Sequence, residues 1–450
     1  MPSTGSPAAP LNAGDLEPSL ERSLGVRSLA ASILNVTVGG GIFIYPAIIA
    51  AGLGAAAWMA YVVCAVAFGL IVLCFAEAGS RVTLTGGPYA YVGTVFGPYV
   101  GYISGVLLWL LGVQAHAAIA NGFAKSINAL IPGAGVGMAR VVMILTVFAF
   151  FAFVNSRGVR QGARLIEIAT VAKLLPLALF VIFGLMMISP ANLAWPGMPK
   201  IADLGRMSIL LVFAFSGIES ALAPSGEVKD PSRTVPRAIG VAMIAITLLY
   251  VMVQLVAQGI LGSELPGHTD APLAAAAARA FGTGGGLLLL IGASISMFGY
   301  LSGMMLAMPR TLFAFARDGY LPRALAKVNP ITKVPVAAIV AHAVAVCALA
   351  ISGRFESLAI LSNISALLLY LLCSAAAFEL RRRNVQEGGV PFRIPGGPIV
   401  PVLSILVIVF LLSNATRAEM LTVAGALAAA TLLYLLRRRP SSGAATVTEA

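Results

Sequence analysis

Val38-Gly39-Gly40-Gly41-Ile42-Phe43 lies in the first apolar stretch of the chain. Phe213-Ala214-Phe215-Ser216-Gly217-Ile218-Glu219-Ser220 lies in the sixth. Each sets small residues, and the second a carboxyl as well, partway along a segment that otherwise reads as a membrane-crossing helix. Such a helix must satisfy its backbone hydrogen bonds internally, so a glycine cluster at mid-depth makes sense where the helix breaks against a cavity. Interruptions at corresponding positions of two repeats point to a substrate site between them.

Outward from these breaks, the 450 residues are 59% hydrophobic and only 10% charged, with a mean hydropathy of +0.95. That composition excludes a soluble domain of this size. Apolar stretches long enough to cross a bilayer, about 17–25 residues, fall at 30–52, 56–78, 98–127, 138–155, 164–189, 207–225, 238–261, 284–310, 335–352, 356–379, 398–414 and 420–436. Twelve spans make the expected fold an all-α membrane protein. One transmembrane domain is expected over 25–436, between disordered cytoplasmic tails at 1–24 and 437–450, with no cleavable signal before the first span.

The net charge of +12 is topological. With the N-terminus inside, 21 of the 29 Lys and Arg fall in segments facing the cytoplasm, among them Arg310 to Lys333 and Arg381 to Arg383. This follows the positive-inside rule and predicts a multi-pass protein of the cell (inner) membrane with both termini cytoplasmic. It leaves no role for nucleic acid; the expected partners are the lipid bilayer and a small molecule, with the chain a monomer or homodimer. Cys64, Cys74, Cys347 and Cys373 sit singly in apolar spans and read as small core residues. The three histidines lie in the third span, an outer loop and the ninth span, so no metal centre and no cofactor are expected.

Spans one to five can be laid over six to ten, with a break in the first helix of each half. Five is odd, so the second half enters from the opposite face and the repeat is inverted, over about 25–190 and 201–380, leaving two helices at about 397–436. Three further motifs accompany the glycine break: Thr85-Gly86-Gly87-Pro88-Tyr89-Ala90-Tyr91, the loop Gly226-Glu227-Val228-Lys229-Asp230-Pro231 after the sixth span, and Phe315-Ala316-Arg317-Asp318-Gly319-Tyr320-Leu321-Pro322. Together, in this order, they resemble the amino acid–polyamine–organocation (APC) transporters. The resemblance implies a LeuT-type 5+5 inverted repeat with helices 1 and 6 broken, plus two extra C-terminal helices. It also implies secondary active transport of an amino acid or related amine, as a permease or antiporter.

A free amino acid offers a carboxylate and an ammonium. Backbone N–H groups opening a half-helix suit the carboxylate, and unwound carbonyls suit the ammonium. Glycines at 39–41 let substrate approach the backbone, unless they serve only helix packing. By resemblance, Val38, Gly39, Gly40, Gly41 and Ile42 form the carboxylate side. Gly40 stands where the family usually has Ser, so a hydroxyl contact is lost. Phe213, Ala214, Phe215, Ser216 and Gly217 form the amino side, with an aromatic as lid or cation–π partner, or the phenylalanines are simply core.

Glu219 is an intramembrane carboxyl, read either as a coupling or gating group or as a structural one. Lys173 sits deep in the fifth span. By resemblance it stands where sodium-coupled relatives bind a cation, which implies sodium independence and coupling to protons or exchange. His116, mid-span in the third helix, either hydrogen-bonds between helices or contacts substrate or proton. Glu77 is expected to pair with Arg81, four residues on. An intramembrane enzyme would need a nucleophile with a base at one depth, and Ser220 has none in sequence reach. A polyamine or cationic amino acid antiporter is the alternative substrate reading.

Overall fold

The computed structural model describes residues 25–82, 88–157, 173–194, 197–218, 230–317, 319–332, 334–386 and 390–436, and among them all regular structure is helical. Glu219 and both expected tails lie outside the described residues. The first span is two helices, α1 (Val26–Thr37) and α2 (Gly41–Leu53), separated by three non-helical residues. α3 (Ala57–Arg81) follows α2 across Gly54, whose φ of 55° suits glycine. Then come α4 (Pro88–Phe96), α5 (Pro98–Leu130), α6 (Gly137–Ser156) and α7 (Lys173–Met187).

In the second half, α8 (Ile201–Phe215) stops where Ser216 turns extended and Gly217 takes φ 125°. α9 (Pro231–Leu261), α10 (Pro272–Ala307), α11 (Pro309–Arg317), α12 (Val336–Ser352) and α13 (Phe355–Arg382) follow. The chain's described part ends with α14 (Ile399–Ser413) and α15 (Arg417–Leu436).

Both interruptions of apolar helix therefore fall where the small residues stand. Among the described residues, seven helical stretches are long and apolar enough to cross a membrane, and three shorter apolar helices (Lys173–Met187, Val336–Ser352 and Ile399–Ser413) accompany them. One of the seven, Gly41–Arg81, contains both α2 and α3. The eighth predicted span, 284–310, starts earlier than expected, because α10 continues back to Pro272 through a kink at Gly282.

That kink has a counterpart in the first half. Gly97, between α4 and α5, has φ 85° and ψ 177°; Gly282 has φ 74° and ψ −173°. Each follows a phenylalanine, Phe96 or Phe281, and each joins a short helix to a long one.

α5 and α13 form the most extensive helix pair. Their contact carries polar ties within an apolar core: Ser362 Oγ donates to the Leu111 carbonyl at 2.9 Å, and Ser365 Oγ to Gln114 Oε1 at 3.2 Å. The outward faces are apolar instead. On α6, Val142, Leu145, Phe150 and Phe153 are exposed, while Ile144, Phe148 and Phe151 point inward and are buried. In water such a surface would associate; against hydrocarbon it is matched.

At the far end of α3, Glu77 accepts from Arg81 at 2.8 Å, as its spacing predicts, and also from Arg381 Nε at 2.8 Å and from the Ile394 N–H at 3.2 Å. This buried carboxylate joins α3 and α13 to the segment before α14.

Candidate substrate site

The chain at the first break changes direction within three residues. The Val38 N–H still bonds back to Leu34, and the Gly39 N–H closes a tight turn onto the Thr37 carbonyl at 2.8 Å. α2 then restarts at Gly41, and Gly40, its N-cap, has no side chain to satisfy the opening N–H groups. A helix start leaves several such donors without intrahelical partners, at the positive end of its dipole. At the second break, α8 ends its ladder with the Ser216 N–H on Val212, and the carbonyls of a helix's last turn lack intrahelical donors.

One hydroxyl couples the two ends. Tyr250 on α9, fully buried, donates its single proton to two carbonyls at once, Thr37 and Ala214, each at 2.9 Å. Gly217 completes the approach, since a Cβ there would meet Val36 Cγ1 at 2.9 Å.

Between the breaks lies a narrow cavity of about 30 Å³. Gly39, Gly40, Gly41, Phe213, Ala214, Ser216 and Gly217 all line it, so the two sequence-predicted clusters do meet. Leu108, Leu111, Ile119, Met304 and Met308 give the remainder an apolar wall. No carboxylate is among the described lining residues.

Val38, Ile42 and Phe215 are fully buried and do not line the cavity. Phe215 packs on Tyr250 and Phe68, with ring centroids 5.3 and 5.6 Å away. Of the two phenylalanines, only Phe213 faces the cavity. It forms a layer with Tyr45 and Phe355, the three rings separated by 5.9–6.1 Å.

Glycine is needed here for packing as well as access. A Cβ on Gly40 would meet Met297 Cγ at 2.8 Å and Ile119 Cδ1 at 2.9 Å, so that position presses against α10 and α5. Gly40 thus both packs against these helices and lines the cavity.

Lys173, buried, does not line the cavity. Its ammonium donates to the carbonyl of Asn35 at 2.5 Å. Asn35 is in the last turn of α1, where carbonyls lack helical partners and a cation meets the negative end of the dipole. His116 is also set back. Its Nε2 lies 3.0 Å from the Leu301 carbonyl and its Nδ1 3.1 Å from Nε2 of His342, which ties α5, α10 and α12 together. The sequence had put these histidines in separate spans without pairing them. Among the described residues no group of three His, Cys, Asp or Glu could hold a metal ion.

Thr37 escaped sequence reading. It lines the cavity, and its buried hydroxyl has no hydrogen-bond partner among the described residues, which is costly unless something else occupies the site. The only signal available was its place directly ahead of the glycine run.

Two helix ends meeting at such a cavity, wrapped in apolar helices, mark a multi-pass membrane protein. The chain belongs to the amino acid permease family, whose pattern matches residues 24–435. It is 27% identical to the serine/threonine exchanger SteT of Bacillus subtilis (strain 168), covering 94% of this chain and 98% of that protein. It is 26% identical to the methylthioribose transporter of the same organism, covering 97% of each. The branched-chain amino acid permease BcaP, also from Bacillus subtilis, is 27% identical over 88% of this chain and 89% of its own length. These relatives are transporters.

Proposed function

We propose that this protein carries a neutral amino acid across the cell membrane by alternating access, without sodium and coupled to protons or to exchange. The observation that carries the reading is the cavity bounded by the opening N–H groups of α2 on one side and the closing carbonyls of α8 on the other. A carboxylate suits the first and an ammonium the second. The Thr37 hydroxyl adds a polar contact beside the carboxylate. Lacking a lining carboxylate, the described cavity favours a neutral side chain over a cationic one, and its Leu, Ile and Met wall favours a small or aliphatic one. The named substrates of two relatives, serine or threonine and branched-chain amino acids, fall in the same class.

In this reading the fold is the twelve-helix, 5+5 inverted arrangement with two added helices. The matched Phe-Gly turns at 97 and 282 support it. The Tyr45–Phe213–Phe355 layer is the lid over the substrate, and Glu219 is a gate or coupling group on the continuation of the sixth span. Lys173 supplies a fixed cation at the end of α1, the place a sodium ion would otherwise serve, and its proton occupancy biases the position of α1. A proton or ligand shifts such an equilibrium only through different affinities for its two states.

The test uses purified protein in liposomes, screened for uptake of the common amino acids with and without a pH gradient, in sodium or choline. Neutral amino acids should accumulate equally in both salts. Lys173→Ala should lose gradient-driven accumulation and keep counterflow exchange. Wild-type accumulation by Lys173→Ala removes the proton role, and a steep dependence on sodium removes the cation-replacement role.

A further inference from the structure

A second cavity, of about 430 Å³ and open to solvent, lies at the end of the bundle formed by the C-terminus of α5, the start of α6 and the turn between α12 and α13. Phe355 is in its lining, and Phe355 is also the outermost contact of the aromatic layer. Its ring stands 5.9 Å from both Phe213, which lines the cavity between the breaks, and Tyr45. A single layer of rings thus separates the two cavities.

The open cavity is charged where the inner one is not. Lys125, Arg140 and Arg354 face it together with Asp270 and Glu356, leaving an excess of positive charge. Lys125 and Asp270 are already paired at 3.4 Å, exposed on both sides. Arg140 is different. It is half-buried, and its Nε and Nη2 are held by neutral oxygens: Oδ1 of Asn121 and the carbonyls of Ala350 and Gly353. No carboxylate pairs with it among the described residues, and its Nη1 has no protein partner there. Three acceptors therefore orient a guanidinium whose charge is uncompensated and whose remaining N–H donors are open. A fixed fork of this kind suits a carboxylate better than a mobile lysine would.

We propose that Arg140 receives the carboxylate of an incoming amino acid in this vestibule, while Glu356, beside Phe355, receives its ammonium. The zwitterion waits there until the Tyr45–Phe213–Phe355 layer parts and admits it to the breaks. This inference rests on the transport reading above and adds to it a second, outer binding site.

The experiment measures uptake of L-leucine and L-serine by liposomes sorted for protein orientation, so that substrate is offered to the vestibule face or to the opposite face. Arg140→Gln should raise KM from the vestibule face about tenfold, with kcat and the opposite-face KM within about twofold of wild type. A purely structural Arg140, clamping Ala350 and Gly353, would instead lower the melting temperature and depress transport equally from both faces; that result overturns the proposal. To keep the test independent of the folding of Arg140→Gln, Glu356→Gln is measured in parallel at an exposed position. It should raise the vestibule-face KM several-fold, and an unchanged value overturns the proposal. Wild-type liposomes that transport neither amino acid, nor any other in the panel, overturn the transport reading itself and this inference with it.

Discussion

Tyr250 and Lys173 each donate to a carbonyl in the last turn of α1, beside the Thr37 hydroxyl, and of these three residues only Lys173 was legible in the sequence. Lys173 stood out because a lone lysine deep in an apolar span is expensive. Its partner could not be read, since that is the carbonyl of Asn35, a backbone atom 138 residues away. Tyr250 gave no signal at all: a tyrosine in an apolar helix is common, and its role comes from a hydroxyl reaching two carbonyls at once. Removing that hydroxyl takes this donor from the buried Ala214 carbonyl, while the Thr37 carbonyl keeps the Gly39 N–H. Tyr250→Phe should therefore cost about 1–2 kcal/mol of stability and weaken substrate binding, because the two breaks lose their common tie. Thermal unfolding and equilibrium binding on the purified variant check both; an unchanged affinity would show that the tie does not position the site.

Among the elements, the breaks were the most legible feature and the helix ends the least. Glycine and serine clusters cannot hide in an apolar helix, so both interruptions appear where the residues put them. The start of α10 was missed because it lies before the kink at Gly282, outside the apolar stretch at 284–310. The aromatic layer was half legible: Phe213 was named, but Tyr45 and Phe355 come from other elements, and Phe215 turned out to be core. The turns at Gly97 and Gly282 offer a clean test of backbone demand. Neither has an atom within 4 Å of where a Cβ would sit, so substitution costs conformation alone. Their torsions belong to a region almost confined to glycine, and alanine there costs about 1–3 kcal/mol. Gly97→Ala and Gly282→Ala should lower the melting temperature by similar amounts, as equivalent turns should; no loss in either would mean that the chain relaxes these turns freely.

At the level of the whole molecule, composition and charge placement sufficed for a multi-pass membrane protein, and four ordered motifs sufficed for the family, which the match over residues 24–435 bears out. Substrate identity was not legible, because in the proposed site the atoms that would meet a zwitterion are backbone N–H and C=O groups, which every sequence has. The side chains that wall the cavity, such as Met304 on α10, Met308 just past its end and Ile119 on α5, look like ordinary core in the sequence.

The central claim is that one molecule bridges the two breaks by its carboxylate and its ammonium together. Binding to the purified protein should therefore be compared, by calorimetry, between the amino acid that the uptake screen selects and two blocked forms of it, the C-terminal amide and the N-acetyl derivative. Both blocked forms should bind at least about a hundredfold more weakly, since each leaves one set of buried backbone groups unmatched. If either binds as tightly as the free amino acid, the substrate does not span the breaks.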